Sequence, residues 1–278
     1  MNVHMYENKI VQKNLKFLEK ELDYKIITPE SGYLACGYEG RGRLPEPEIL
    51  VESVKMFLKK KDLKGKKVMI SAGPTREAID PVRYISNYSS GRMGYALARA
   101  AAFRGAEVTL ISGPVSLEKP LGVNIVNVES AEEMKNAVLQ NFSEQDIIVM
   151  SAAVADYRPK EKKNEKIKKS DSVVNSNLEL ERTEDILLNL GKRKRNNQIL
   201  IGFAAETESL LENARIKLQK KNADYIIAND ISNKKIGFGS RDNKVSILTG
   251  EGVSDFPIMK KEKLADKIFD YIIDAERK

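Results

Sequence analysis

Tryptophan is absent from this chain, and histidine and cysteine occur once each, as His4 and Cys36. A lone thiol forms no internal disulfide, which fits a reducing cytoplasm. With the single histidine close to the start, chemistry built on a histidine base is not expected in the main body. Aromatic residues make up 6% of the sequence, too few for an evident surface on which bases could stack. No apolar run approaches the length that crosses a bilayer, and the first residues lack the apolar core of a signal peptide. Neither G-x-G-x-x-G nor a G-x-x-x-x-G-K-[ST] string occurs, so an ordinary dinucleotide or P-loop reading is not supported.

What the chain does contain is charge and small residues. Of 278 residues, 31% are charged and 41% hydrophobic, with a net charge of +7. These values fit a globular protein with one large α/β domain, or a domain plus an appendage. The lysines mostly alternate with glutamates. The basic excess therefore reads as solvated surface plus a phosphate site, with nucleic acid as the weaker option.

Two parts can be separated. Residues 1–60 hold the Gly-rich "ESGYLACGYEGRGRLPEPEIL" and run through the charged linker "KKKDLKGKK" into residues 61–278. From Lys66 the pattern alternates. Strands are expected at "KVMISA", "EVTLIS", "VNIVNV", "DIIVMSAA", "QILIGFAA" and "DYIIAND", with helices over 92–104, 131–142, 185–195 and 208–222. An antiparallel hairpin ("KVSILTG" and a partner near Asp255 to Met259) and a helix over 260–276 follow. The alternation predicts a doubly wound, mostly parallel Rossmann-like α/β sheet with helices on both faces. Ligands gather at the C-terminal strand ends of such sheets.

Four stretches could carry chemistry. The first strand is followed by the long loop "SAGPTREAIDPVRYISNYSSGRMG". Ser89 and Ser90 precede a helix start near Gly91, where free N–H groups favour an anion; a helix cap by one of the serines is expected in any case. Next, "MSAAVADYRPKEKKNEKIKK" leads from a buried strand through Ala152 and Ala153 to Asp156, an acceptor for a base or ribose or a metal ligand. From Arg158 to Lys169 it carries seven basic and two acidic residues. That composition suits a disordered surface loop, or a flap that orders over a triphosphate. In the third stretch, Leu211, Ala214 and Leu218 form an inward helical stripe flanked by Lys217 and Lys221, either a phosphate grip or a solvated face. Phe203 beside Gly202, Ala204 and Ala205 is core, or a platform with room for a ligand. Finally, Cys36 among glycines is either exposed and reactive or a buried bystander.

Taken together, these strings resemble phosphopantothenoylcysteine synthetase, the ligase family of coenzyme A biosynthesis, from about Lys66 to the end. "SAGPTREAIDPVRYISNYSSGRMG", "AAVADYRPK", "EKIKK", "GFAAET" and "AND" match its signatures in order. Residues 1–50 resemble the last portion of the flavin-dependent decarboxylase often fused ahead of it, through "MNVHMYEN" and "GYLACGYEGRGRLPEP". The resemblance implies that Asn2 and Cys36 are decarboxylase site residues. FMN would belong to the intact fusion, with the flavin-binding part upstream of Met1, so this chain alone is not expected to decarboxylate.

For the ligase, the resemblance implies CTP with Mg²⁺, 4'-phosphopantothenate and L-cysteine as reactants. Asn87 would hold the activated acyl group, and Ser89, Ser90 and Gly91 would cradle phosphate. Ala152, Ala153 and Asp156 would meet the cytidine, and Lys166 in the flap would close over the intermediate. Phe203, Lys217 and Lys221 would complete the nucleotide site. Where the family has Asn-Pro-Asp-Ile, this chain has Thr183, Glu184, Asp185 and Ile186. A cytoplasmic homodimer with sites completed across its interface is implied, without membrane or nucleic-acid partners. The rival readings are a nicotinamide-dependent reductase and a basic nucleic-acid-binding module.

Overall fold

The computed structural model describes residues 1–35, 37–168, 177–206, 210–230 and 239–277, the side chains at 205, 206, 210 and 230 excepted. Cys36 and Lys169 lie outside the described residues. The chain divides into two compact units, Met1–Lys60 and Lys61–Lys278.

The first unit comprises helices α1 (Val3–Glu7) and α2 (Lys9–Glu21), strands β1 (Glu30–Tyr33) and β2 (Glu39–Arg43), and helix α3 (Pro47–Leu58). β1 and β2 form an antiparallel hairpin. Asn2 Oδ1 accepts from the Met5 N–H at 3.0 Å and so caps α1. Helix α2 buries none of its residues within the described structure and leaves Ile10 and Phe17 exposed.

The second unit continues with β3 (Lys67–Ala72), β4 (Arg76–Ala78), β5 (Tyr84–Ser86), α4 (Arg92–Phe103), β6 (Glu107–Ser112) and β7 (Val123–Asn127). Then come α5 (Ala131–Phe142), β8 (Ile147–Met150), β9 (Tyr157–Pro159), β10 (Leu180–Arg182), α6 (Ile186–Arg193) and β11 (Ile199–Glu206). Helix α7 (Leu210–Lys221), β12 (Tyr225–Asp230), β13 (Asp242–Leu248), β14 (Val253–Lys260) and α8 (Lys261–Ala275) complete it. No helix among the described residues is long and apolar enough to cross a membrane.

Continuous apolar strands such as Ile147–Met150 need cover on both faces, and they have it. Ile70, Val149, Ile201 and Ile227 pack with Leu97 of α4 and Leu264 and Phe269 of α8. Their neighbours Met69, Ile148, Leu200 and Ile226 point the other way, onto Met134 of α5, Leu190 of α6 and Leu218 of α7. The strand period of two thus divides one sheet between two cores. On α7, Ala214 and Leu218 are buried but Leu211 is 41% exposed, so the inward stripe is shorter than its spacing predicts.

The large sheet among the described residues has the order β14-β13-β12-β11-β8-β3-β6-β7. The six strands from β12 to β7 are parallel, and β13 and β14 run antiparallel at one edge. Numbered by chain order from the β7 edge, the parallel strands read 3-2-1-4-5-6. That is the doubly wound order, with its crossovers reversing between β3 and β8.

A candidate nucleotide and acid site at the switch point

Where the winding reverses, the loops after β3 and β8 leave the sheet in opposite directions and open a crevice. Backbone and hydroxyl groups lace the two loops together near their roots. The Ala153 N–H donates to Gly73 O at 2.9 Å, the Ala155 N–H to Thr75 Oγ1 at 2.9 Å, and Ser151 Oγ to Ser71 O at 2.6 Å. Asn87, far along the first loop, donates its Nδ2 to Val154 O at 3.0 Å. An asparagine held through its NH₂ presents its carbonyl oxygen to whatever enters.

Glycines bring this long loop back to the sheet. Gly73 has φ +76° and Gly91 has φ +72°, and a Cβ on Gly91 would lie 3.4 Å from Gly73 Cα. On Gly94 a Cβ would meet Ala72 Cβ at 2.5 Å and Ser151 Oγ at 2.8 Å. A tight turn, a close backbone approach and a close helix–strand contact are the three glycine roles of a dinucleotide-binding turn. Here they are assembled in space although separated in sequence. The cap differs from expectation: neither serine caps α4, whose N-cap is Gly91 in a left-handed conformation. Ser89 Oγ instead accepts from the Gly91 N–H at 3.3 Å, tightening the turn before the helix.

A cavity of 460 Å³ occupies the crevice. Asn87, Ser89, Ser90 and Gly91 line it from the first loop, and Ala152, Ala153 and Asp156 from the second. Phe203 and Lys217 reach it from β11 and α7. Beside it lies a cavity of 600 Å³ that shares Ala152, Asp156, Phe203 and Lys217 and adds Thr183, Glu184, Asp185, Ile186 and Lys221. These sequence-predicted residues therefore surround two adjoining spaces. Lys166 stands elsewhere: the N–H of the next residue, Ile167, donates to Asp80 Oδ2 at 3.1 Å. At Gly202 the space a Cβ would take is held by Ile226 Cδ1 and Leu187 Cδ2, each 2.7 Å from it.

The charges are arranged in partnerships. Lys217 Nζ donates to Phe203 O at 3.1 Å, and Lys221 pairs with Asp185. Burial opposes the charge on Asp185, but the Lys221 ammonium, the Leu188 N–H and Lys217 together hold its carboxyl below the ordinary value. Asp185 is also the N-cap of α6, accepting from Leu188 N–H at 2.9 Å. Thr183 is fixed by its Oγ1 donating to Ala155 O at 2.6 Å. The same cavity is lined by a group that the sequence reasoning missed: Arg92, Asn229, Asn243 and Lys261. Asn229 Oδ1 is buried with no hydrogen-bond partner among the described residues, an acceptor that a ligand's donor would satisfy. The "AND" string held a signal for Asn229. Asn243 and Lys261 arrive through the hairpin, a placement no local pattern encodes.

No group of three or more His, Cys, Asp or Glu side chains that could hold a metal occurs among the described residues. Mg²⁺ needs no such cage when phosphates and water supply most of its ligands. Asp156 is the carboxylate that lines both cavities.

The comparisons with known proteins agree in placing the chain. The family model for the DNA/pantothenate metabolism flavoprotein C-terminal domain matches residues 63–275, and the Flavoprotein family model matches residues 1–59. The chain is 48% identical over 277 residues to the coenzyme A biosynthesis bifunctional protein CoaBC of Bacillus subtilis (strain 168), covering 98% of this chain and 67% of that protein. Among solved structures, the C-terminal domain of a coenzyme A biosynthesis bifunctional protein CoaBC superposes with TM-score 0.66 at 44% identity, over 78% of this chain and 99% of that one. A DNA/pantothenate metabolism flavoprotein from Streptococcus pneumoniae gives TM-score 0.64 at 26% identity, over 75% and 98%. With this coverage, and with the sheet order that the switch-point crevice requires, the chain belongs to the DNA/pantothenate metabolism flavoprotein family.

Proposed function

We propose that residues 61–278 are a phosphopantothenate–cysteine ligase of coenzyme A biosynthesis. What carries this reading is the meeting of Asn87, Asp156, Phe203 and Lys217 around one crevice, in a chain 48% identical to a bifunctional protein of that pathway.

The reaction needs no strong base, which suits a chain whose only histidine is His4. The 4'-phosphopantothenate carboxylate attacks the α-phosphate of CTP, forming an acyl-cytidylate as pyrophosphate leaves. The cysteine amine then attacks the acyl carbon, the amide forms, and CMP departs. Such steps depend on alignment and on neutralising charge at phosphorus. Lys217 and Lys221 line the nucleotide end, and the alanines at 152 and 153 leave space for the cytosine ring. Asn87 presents its amide to the acyl group. Mg²⁺ bound to the phosphates would supply further charge neutralisation, with Asp156 as its protein ligand. Lys166 would act from the lysine-rich segment as a flap, in a cytoplasmic homodimer whose partner completes each site.

The first unit is read as decarboxylase-derived, with Asn2 and Cys36 as its site residues and FMN as the group of the intact fusion. Its described residues form a hairpin and three helices.

Pyrophosphate release with 4'-phosphopantothenate, cysteine and each nucleotide in turn tests the reading. Turnover is expected with CTP in preference to ATP. Release independent of 4'-phosphopantothenate, or none with any nucleotide, would reject it.

A further inference from the structure

The loop after β8 is held almost one peptide at a time. Val154 O accepts from Asn87, and the Ala155 N–H donates at 2.9 Å to the hydroxyl of Thr75, a fully buried residue. The chain then enters β9, which pairs with β10 in an antiparallel ladder whose final rung joins Tyr157 to Arg182. Thr183 carries that ladder two steps further. Its N–H donates to Asp156 O at 3.0 Å, and its Oγ1 donates to Ala155 O at 2.6 Å. A side chain takes over from the backbone at the second step because the chain is already leaving for α6, whose N-cap is Asp185. Ala155 is only 3% exposed, and a carbonyl buried to that degree needs a partner.

The Ala155 carbonyl belongs to the peptide plane that precedes Asp156, and the Asp156 carbonyl to the plane that follows it. Peptides are rigid, so one residue holding both planes fixes φ and ψ at Asp156, and with them the direction in which its side chain leaves the backbone. Asp156 is itself exposed and lines both cavities. A hydroxyl has one proton to give, and Thr183 gives it to Ala155 O. We propose that Thr183 is a positioning residue, whose hydroxyl acts through the Ala155 carbonyl to aim the Asp156 carboxylate at the nucleotide, and that it is not a nucleotide contact in its own right. This rests on the ligase reading above, in which Asp156 meets the nucleotide.

The test is calorimetric binding of CTP with Mg²⁺, and separately of 4'-phosphopantothenate, to the full chain and to Thr183→Val, Thr183→Ser, Asp156→Asn and the Thr183→Val/Asp156→Asn double variant. Valine keeps the branched shape without the donor, and serine keeps the donor. Circular dichroism checks each fold, with Thr183→Ala replacing a valine variant that does not fold. Loss of the hydroxyl is expected to weaken CTP about three- to tenfold and to leave 4'-phosphopantothenate within about twofold. Serine should restore CTP binding to within about twofold of the unmodified protein. In the Asp156→Asn background the valine substitution should cost less than about twofold, because a residue that acts through Asp156 has nothing left to position. A full valine penalty in that background, a valine variant that binds CTP normally, or a serine variant as weak as valine overturns the proposal. Binding needs no turnover, so the two readings separate. If the unmodified protein binds CTP but releases no pyrophosphate, the ligase assignment falls while the coupling of Thr183 to Asp156 is still decided; if it binds no nucleotide, both fall.

Discussion

On the proposed reading Asn87 holds the activated acyl group; its side chain crosses from the loop after β3 to the loop after β8. Aspartate at this position has no N–H for Val154 O and sets a negative charge beside an acyl phosphate. Asn87→Asp is therefore expected to form acyl-cytidylate but to convert it to amide at least about a hundredfold more slowly, the cost of a lost electrostatic contact in the transition state. Rapid-quench assays follow both species, and a normal amide yield would remove Asn87 from its role. Among the other residues, type alone was a fair guide. Small residues at 152 and 153 do border open space, whereas the small residue at 202 is filled by Leu187 and Ile226. Sequence cannot tell those cases apart, since the difference lies in which neighbours fold over the strand. Arg92 and Lys261 escaped for a related reason: each looks like a surface cation until the hairpin brings them together.

At the scale of elements, the strands were legible because buried parallel strands must be continuous and apolar, and the helices because each crossover needs an amphipathic face. The cap was not legible. Two serines before a helix outrank glycine by propensity, but the approach of Gly91 to Gly73 demands a backbone that glycine alone adopts cheaply. One turn into the same helix, Gly94→Ala is expected to cost about 1–3 kcal/mol through overpacking against Ala72 and Ser151. Thermal unfolding should show a midpoint lower by about 2–10 °C, and an unchanged midpoint would mean that α4 stands off the sheet.

The lysine-rich segment has its own anchor. Asp80 accepts from the N–H groups of Val82 and Arg83 at 2.8 Å each and from Ile167 at 3.1 Å, and it pairs with Arg83. The Arg83 hydrogen bond, aided by these N–H donors and opposed by desolvation, holds its carboxyl well below the ordinary 3.8. A carboxyl depressed by folding contributes stability fully above its unfolded pKa, and loses it as the pH falls through that value toward the folded one. Asp80→Asn should thus melt lower at neutral pH but lose less between about pH 4 and pH 2 than the unmodified protein. Parallel pH profiles in the two proteins would exclude the anchor.

For the whole molecule, the decisive feature is the order of the sheet. Six parallel strands wound both ways place a crevice where crossovers reverse. Sequence alternation predicted the doubly wound class but not which strands flank the reversal, because strand order is a long-range property. Once β3 and β8 are neighbours, the loops that follow them become the two walls of a site. Cations gather there too: Arg92, Lys217 and Lys261 line the crevice, and Lys221 joins Lys217 in the cavity beside it.

Activation of an acid by a nucleotide in that crevice, before cysteine takes part, is most directly tested by exchange of labelled pyrophosphate into CTP. With 4'-phosphopantothenate present and cysteine absent, label is expected to enter CTP, and omission of the acid should abolish it. No exchange with the acid present, or exchange that proceeds without it, would contradict the acyl-cytidylate and with it the function assigned to the site.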